Sequence, residues 1–172
     1  GLVQSIKSKQ TIIKSFDLDE FIVKHNFNDK FILYLKELYK IIENLEWLGY
    51  KYKKICYASD YFETLHAWAM SLIKEDKAYV DSQSSEEIAE QKGTPTEPGV
   101  DSPFRNRPVD ESLLIFEKMT NGDYGQGENV LRAKIDMSSP NMLMRDPVIY
   151  RVINKPHPRT KDKWVVYPMY DW

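Results

Sequence analysis

Apolar residues recur at intervals of three and four along the first part of the chain. Phe31, Leu35, Leu38, Ile42 and Leu45 fall on one helical face, and the spacing predicts helix between Thr11 and Trp47, with Gly49 as the stop. Asp17, Asp19 and Glu20 lie early in this stretch. Without the turn glycine of a calcium loop they read as an acidic helix start. A second helix is expected from Asp60, which can cap it while Glu63 reaches back; its inner face is Phe62, Leu65, Ala69, Leu72 and Ile73. His66 flanks that stripe, where a histidine is more often packed or half-exposed than a general base.

The period then shortens. KAYVD (77–81) reads as a short strand, and Ser84 with Glu87 forms a capping box for a short helix ending near Lys92. A third helix is expected from Val109 to Met119, with Asp110 and Glu111 in its first turn and Gly122 past its end. The last third alternates branched and aromatic residues with proline-containing turns, predicting strands at LRAKI (131–135), VIYRVI (148–153) and WVVYPMYD (164–171). Two connections stand out. NGDYGQGENV (121–130) follows a helix and precedes a strand, the reverse of a phosphate loop, and reads as a turn. KGTPTEPG (92–99) carries two glycines and two prolines and nothing apolar larger than proline, which fits an ordered turn as well as a linker.

Composition narrows the function classes. With 172 residues and 42% hydrophobic content the chain can fill a core. No apolar run approaches the roughly 20 residues of a membrane helix, and GLVQSIKSKQ lacks the apolar centre of a secretory signal, so the cytoplasm is the default compartment and no membrane partner is expected. A single cysteine excludes an internal disulfide framework, and Cys56 reads as a buried, inert thiol; three scattered histidines give no metal site. No nucleophile, base and orienter occur in a catalytic arrangement, so no catalytic residue is assigned. A net charge of -2 gives no global attraction to DNA or RNA. The second half nonetheless interleaves Lys92, Arg105, Arg107, Arg132, Lys134, Arg145, Arg151, Arg159, Lys161 and Lys163 with Phe104, Tyr150, Trp164, Tyr167 and Tyr170. Residue types leave two readings open: an RNA-contacting surface, and a solvated surface over an aromatic core.

Longer strings decide more. EWLGY, YASDYFETLHAWAMSLI, AYVD, KGTPTEPGVDSPFRNRPVDESLLIFEKM, VLRAKIDMSSPNMLMRDPVIYR and WVVYPMYDW occur in order over roughly 125 positions. In these strings the chain closely resembles the glutaminyl-tRNA synthetase family of class I aminoacyl-tRNA synthetases. The resemblance implies an α/β fold: part of a Rossmann-like catalytic domain carrying an α+β insertion with an antiparallel sheet. Residues 1–59 would belong to the catalytic domain, 60–165 to the insertion that binds the tRNA acceptor stem, and 166–172 to a strand returning to the catalytic fold.

The resemblance also assigns residues. The loop matching KGTPTEPG reaches the acceptor end in this family and helps open the first base pair, which places Pro95 at the wedge position commonly held by leucine. Proline is an apolar wedge of fixed φ with less stacking area. Lys92 and Thr94 beside it would make phosphate and polar contacts. SSPNM (138–142) would lie in the shallow minor groove, where backbone groups near Pro140 and Met142 read a guanine amine. Tyr170 corresponds to a tyrosine that recognises the glutamine side-chain amide; a phenol can both donate and accept.

The family's acidic residue for the substrate ammonium aligns with Asn26 in KHNFNDK (24–30), which cannot supply that charge. Segments of the H-I-G-H and K-M-S-K types do not occur in these 172 residues. The expectation is therefore a stretch of a glutamine-tRNA ligase whose whole enzyme uses ATP with Mg2+, tRNA(Gln) and glutamine, while this stretch alone binds no cofactor and does not aminoacylate. A glutamyl-tRNA synthetase and a non-catalytic RNA-binding module are the alternatives; SDYFETLHAWA, DSPFRNRP and YPMYDW favour the glutaminyl branch.

Overall fold

A computed structural model describes residues 29–51, 53, 54 and 56–170. The helix expected from Thr11, where it precedes Asp29, lies outside the described residues, as does Asn26. The chain divides into two units, Gly1–Ile55 and Cys56–Trp172.

In the first unit, α1 spans Asp29–Trp47. Leu35, Leu38 and Ile42 are half-buried along it, while Leu45 is exposed. Gly49 ends it at φ +81°, where Gly49 N–H donates to Glu46 O and Tyr50 N–H to Leu45 O. A left-handed residue at this position is what lets the last helical carbonyls find donors.

The second unit is a four-stranded antiparallel sheet with helices packed on it. Its elements are α2 (Phe62–Lys74), β1 (Ala78–Asp81), α3 (Ser85–Gln91), α4 (Val109–Asn121), β2 (Val130–Ala133), β3 (Val148–Val152) and β4 (Val166–Pro168). The sheet order is β1-β2-β3-β4. Ala69 and Ile73 of α2 and Phe116 and Met119 of α4 join Val80, Leu131, Tyr150, Val152 and Val166 in one core. Phe116 meets the Tyr150 ring edge-on at 5.5 Å. That geometry adds to the area the two aromatics bury. Gly122, at φ +84°, closes α4 as expected, with its N–H on Met119 O.

The strands are shorter than their sequence pattern, for local reasons. β2 bulges between Leu131 and Arg132 and leaves the ladder after Ala133. Lys134 N–H then turns to Lys77 O and Ile135 N–H to the Asp146 carboxylate. In β4 the Trp164 carbonyl is taken by the Tyr167 hydroxyl, and Pro168, without an N–H, sits on an edge strand where it is tolerated. Residues 166–172, expected to leave for the catalytic fold, thus begin as the edge strand of this sheet.

Two side-chain expectations change and one stands. The start of α2 is preceded by a short 3-10 turn, Ala58–Tyr61, and Asp60 accepts from Tyr57 N–H instead of capping with Glu63. Asp60 also holds Arg159 at 2.8 Å, and Glu63 holds Lys163. Cys56, expected buried, is exposed, because the segment before the 3-10 turn runs outside the core. His66 is half-buried as expected, stacked on Phe116 at 5.2 Å with Nε2 3.0 Å from Thr120 Oγ1. Burial holds its pKa below the ordinary value. Among the described residues no helix is long and apolar enough to cross a membrane, and no cluster of metal-ligating side chains occurs.

Candidate nucleic-acid interface

KGTPTEPG is an ordered loop whose order begins with the helix before it. At the start of α3, Glu87 N–H donates to Ser84 Oγ at 3.2 Å and Ser84 N–H to Glu87 Oε2 at 2.8 Å, the capping box expected from the sequence. The helix ends at Gln91 and the chain reverses through Gly93 at φ +68°. A Cβ there would lie 2.6 Å from Pro98 O and 2.9 Å from Glu97 O, so only glycine fits so close to the returning strand of the loop. Thr94 and Glu97 exchange backbone hydrogen bonds at 3.2 and 3.3 Å, and Thr94 Oγ1 also accepts from Glu97 N–H. Pro95 and Thr96 are left at an exposed tip. The root is closed by Val100 N–H on Gln91 O and Gly99 N–H on Met137 O, both 2.8 Å.

That last bond leads to the second candidate segment. Asp136 accepts from both Ser138 N–H and Ser138 Oγ, at 2.8 and 2.7 Å, and these bonds hold its pKa below the usual carboxylate range. Asn141 N–H reaches Ser139 Oγ, and Asn141 Oδ1 caps the 3-10 turn Met142–Met144 by accepting from Leu143 N–H at 3.0 Å. Pro140 is exposed, Met142 half-buried and Leu143 exposed. The segment is therefore a series of side-chain-stapled turns.

Two buried residues tie these segments to the sheet. Arg145 donates from Nε to Ser139 O at 2.7 Å, and its Nη1 lies 2.6, 2.9 and 2.9 Å from the carbonyls of Lys92, Thr94 and Glu97. Two hydrogens on Nη1 are thus shared among three acceptors. Next to it, Asp146 adopts φ +38° and accepts from Arg105 Nε at 2.7 Å, Ile135 N–H at 2.7 Å and Tyr79 OH at 3.2 Å. Arg132 completes the base: it is 2.8 Å from Asp81 and donates to the Asp146 carbonyl at 2.8 Å. Tyr79, which also faces Arg132, has its pKa pushed up, mainly by burial.

Sequence reasoning placed Arg145, Arg132, Arg105 and Arg107 in a basic surface, and this is corrected. Arg132 and Arg145 are buried, and Arg105 is half-buried on Asp146. Arg107 lies over Phe104 and donates to Val80 O and Ser82 Oγ, with Glu111 at 3.1 Å. Lys134, Arg159 and Lys163 are paired with Asp76, Asp60 and Glu63. Most of the cationic excess is therefore neutralised within the fold. The signal that could have found Arg145 and Asp146 is the Arg-Asp-Pro run directly before a buried strand, where two charges need internal partners.

Of the predicted site residues, Lys92, Thr94, Pro95, Pro140 and Met142 fall on the two segments that Arg145 joins. Tyr170 does not. It lies past β4, at the opposite edge of the sheet from β1, and is fully exposed.

The family model for tRNA synthetases class I (E and Q), catalytic domain, matches residues 35–172. The glutamine-tRNA ligase of Clostridium kluyveri is 52% identical over 132 residues, covering 77% of this chain and 24% of that protein. That of Nitrobacter hamburgensis is 54% identical over 133 residues, covering 77% and 24%. That of Haemophilus influenzae is 54% identical over 130 residues, covering 75% and 23%. The chain spans about a quarter of the length of these curated relatives. Since the family match runs from α1 through both loops and the whole sheet, the chain belongs to the class I tRNA synthetases of the glutamate and glutamine type, with residues 35–172 matching their catalytic domain.

Proposed function

We propose that this chain is the acceptor-stem-binding part of a glutamine-tRNA ligase, an insertion in a Rossmann-like catalytic domain. The whole enzyme attaches glutamine to tRNA(Gln) with ATP and Mg2+. The relatives' shared name supports the glutamine branch over the glutamate one. The observation that carries the reading is the pairing of two stapled loops, 92–99 and 138–142, on one buried guanidinium, with Pro95 and Pro140 left exposed. A stiff apolar tip beside a run of accessible backbone is suited to the end of an RNA duplex.

In this reading Pro95 stacks on the terminal base, opening a pair that costs a few kcal/mol to separate. Lys92 and Thr94 contact the backbone, and the groups around Pro140 and Met142 read the minor groove. Tyr170, exposed past β4, offers its hydroxyl to the glutamine amide in the complete pocket. ATP would supply the activation of glutamine. The glycines of 121–130 do not fit an ATP phosphate: Gly122 caps α4 and Gly125 N–H is taken by Glu128 at 2.6 Å. No step is therefore assigned to ATP within these residues.

The test is glutamine attachment to tRNA by the intact protein that carries this chain. Pro95→Gly and Lys92→Ala should each lower kcat/KM for tRNA by about tenfold, the worth of one lost stacking or phosphate contact. Unchanged kinetics in both variants, or no glutamine attachment by the unaltered protein, overturns the proposal.

A further inference from the structure

The two loops are joined by a side chain that neither carries. Arg145 is 2% exposed, and its four acceptors are all main-chain carbonyls, Ser139 on one side and Lys92, Thr94 and Glu97 on the other. The rigid guanidinium fork lets Nε and Nη1 serve the two sides at once, which the single ammonium of lysine cannot do. Its own placement is fixed by Asp146, whose carboxylate accepts three donors and whose backbone sits at φ +38°.

We propose that Arg145 is a positioning residue. It fixes loop 92–99 against segment 138–142, so that Pro95 and the Pro140–Met142 turn meet an RNA duplex end as one rigid surface. This rests on the functional reading above. A wedge on an untethered loop must order that loop each time it acts, and the ordering entropy is subtracted from what stacking supplies. The defect caused by losing Arg145 should therefore appear only when there is a base pair to open.

The experiment uses the intact protein and two tRNAs that differ only in the first acceptor pair, Watson–Crick in one and mismatched in the other. With Arg145→Lys, kcat on the paired tRNA should fall about tenfold or more, with KM for glutamine unchanged. On the mismatched tRNA it should stay within about threefold of the unaltered protein. Gly93→Ala places a Cβ 2.6 Å from Pro98 O, disturbing the same loop while leaving the Arg145 guanidinium in place, and should show the same selective loss. It carries the test if Arg145→Lys does not fold. Equal loss on both tRNAs, or no loss on either, overturns the positioning role.

Pro95→Gly in parallel separates the two claims. A pair-dependent loss for Pro95→Gly alone leaves the functional reading standing and removes the role of Arg145. Indifference to the pair in Pro95→Gly as well removes both.

Discussion

Arg132 and Asp81 are both fully buried and 2.8 Å apart, so neither charge has water to fall back on. Arg132→Met would strand the Asp81 carboxylate, and breaking such a pair from one side costs about 3–5 kcal/mol. The urea midpoint of unfolding should drop accordingly, and Arg132→Met with Asp81→Leu should recover part of the loss. Two histidines set an acid limit. Burial lowers the pKa of His66, and burial with the nearby Arg159 charge lowers that of His157, both from 6.5. Below about pH 6.5 the unfolded chain binds protons that the folded one resists, so their contribution to stability is present above that pH and lost as pH falls. His66→Gln should make the acid slope of the melting temperature shallower, with His157 supplying the remainder. The wedge, phosphate and minor-groove candidates could be named from residue strings; for Arg145 the Arg-Asp-Pro run could signal burial but not its partners. Its acceptors are backbone carbonyls, which leave no trace in residue type.

At the scale of elements, α3 has seven residues, far fewer than the dozen or so an isolated helix needs. Its start depends on the Ser84–Glu87 box, and Ser84→Ala should cost about 1 kcal/mol. Amide exchange along α3 should quicken before that of α4 does, since α4 carries Phe116 and Met119 into the core. The same box logic failed at Asp60 and Glu63 for a physical reason. Their carboxylates are taken by Arg159 and Lys163, long-range partners that local spacing does not reveal. Helices with a capped start or a glycine stop were legible because both ends of the signal lie within one turn. Strand ends were not, because they depend on where Asp146, Trp164 and Pro168 stand in space.

Over the whole molecule, a net charge of -2 and the internal pairing of most second-half cations leave little long-range pull on RNA. Binding should therefore show a shallow salt dependence. Lys92→Ala should reduce the slope of log K against log salt by about 0.7–0.9, one phosphate contact, when tRNA affinity is measured across ionic strength. An α/β unit with an antiparallel sheet could be read from the chain; the order of its strands could not, because α3 and α4 intervene between the paired β1 and β2. The clamp on loop 92–99 grips only main-chain atoms, and the side chain of Pro95 projects beyond it, whereas Thr96 Oγ1 lies 3.2 Å from Thr94 Oγ1. At position 95 tip identity is thereby uncoupled from tip position: evolution, or a library confined to that residue, can exchange the contact chemistry while the mount stays the same.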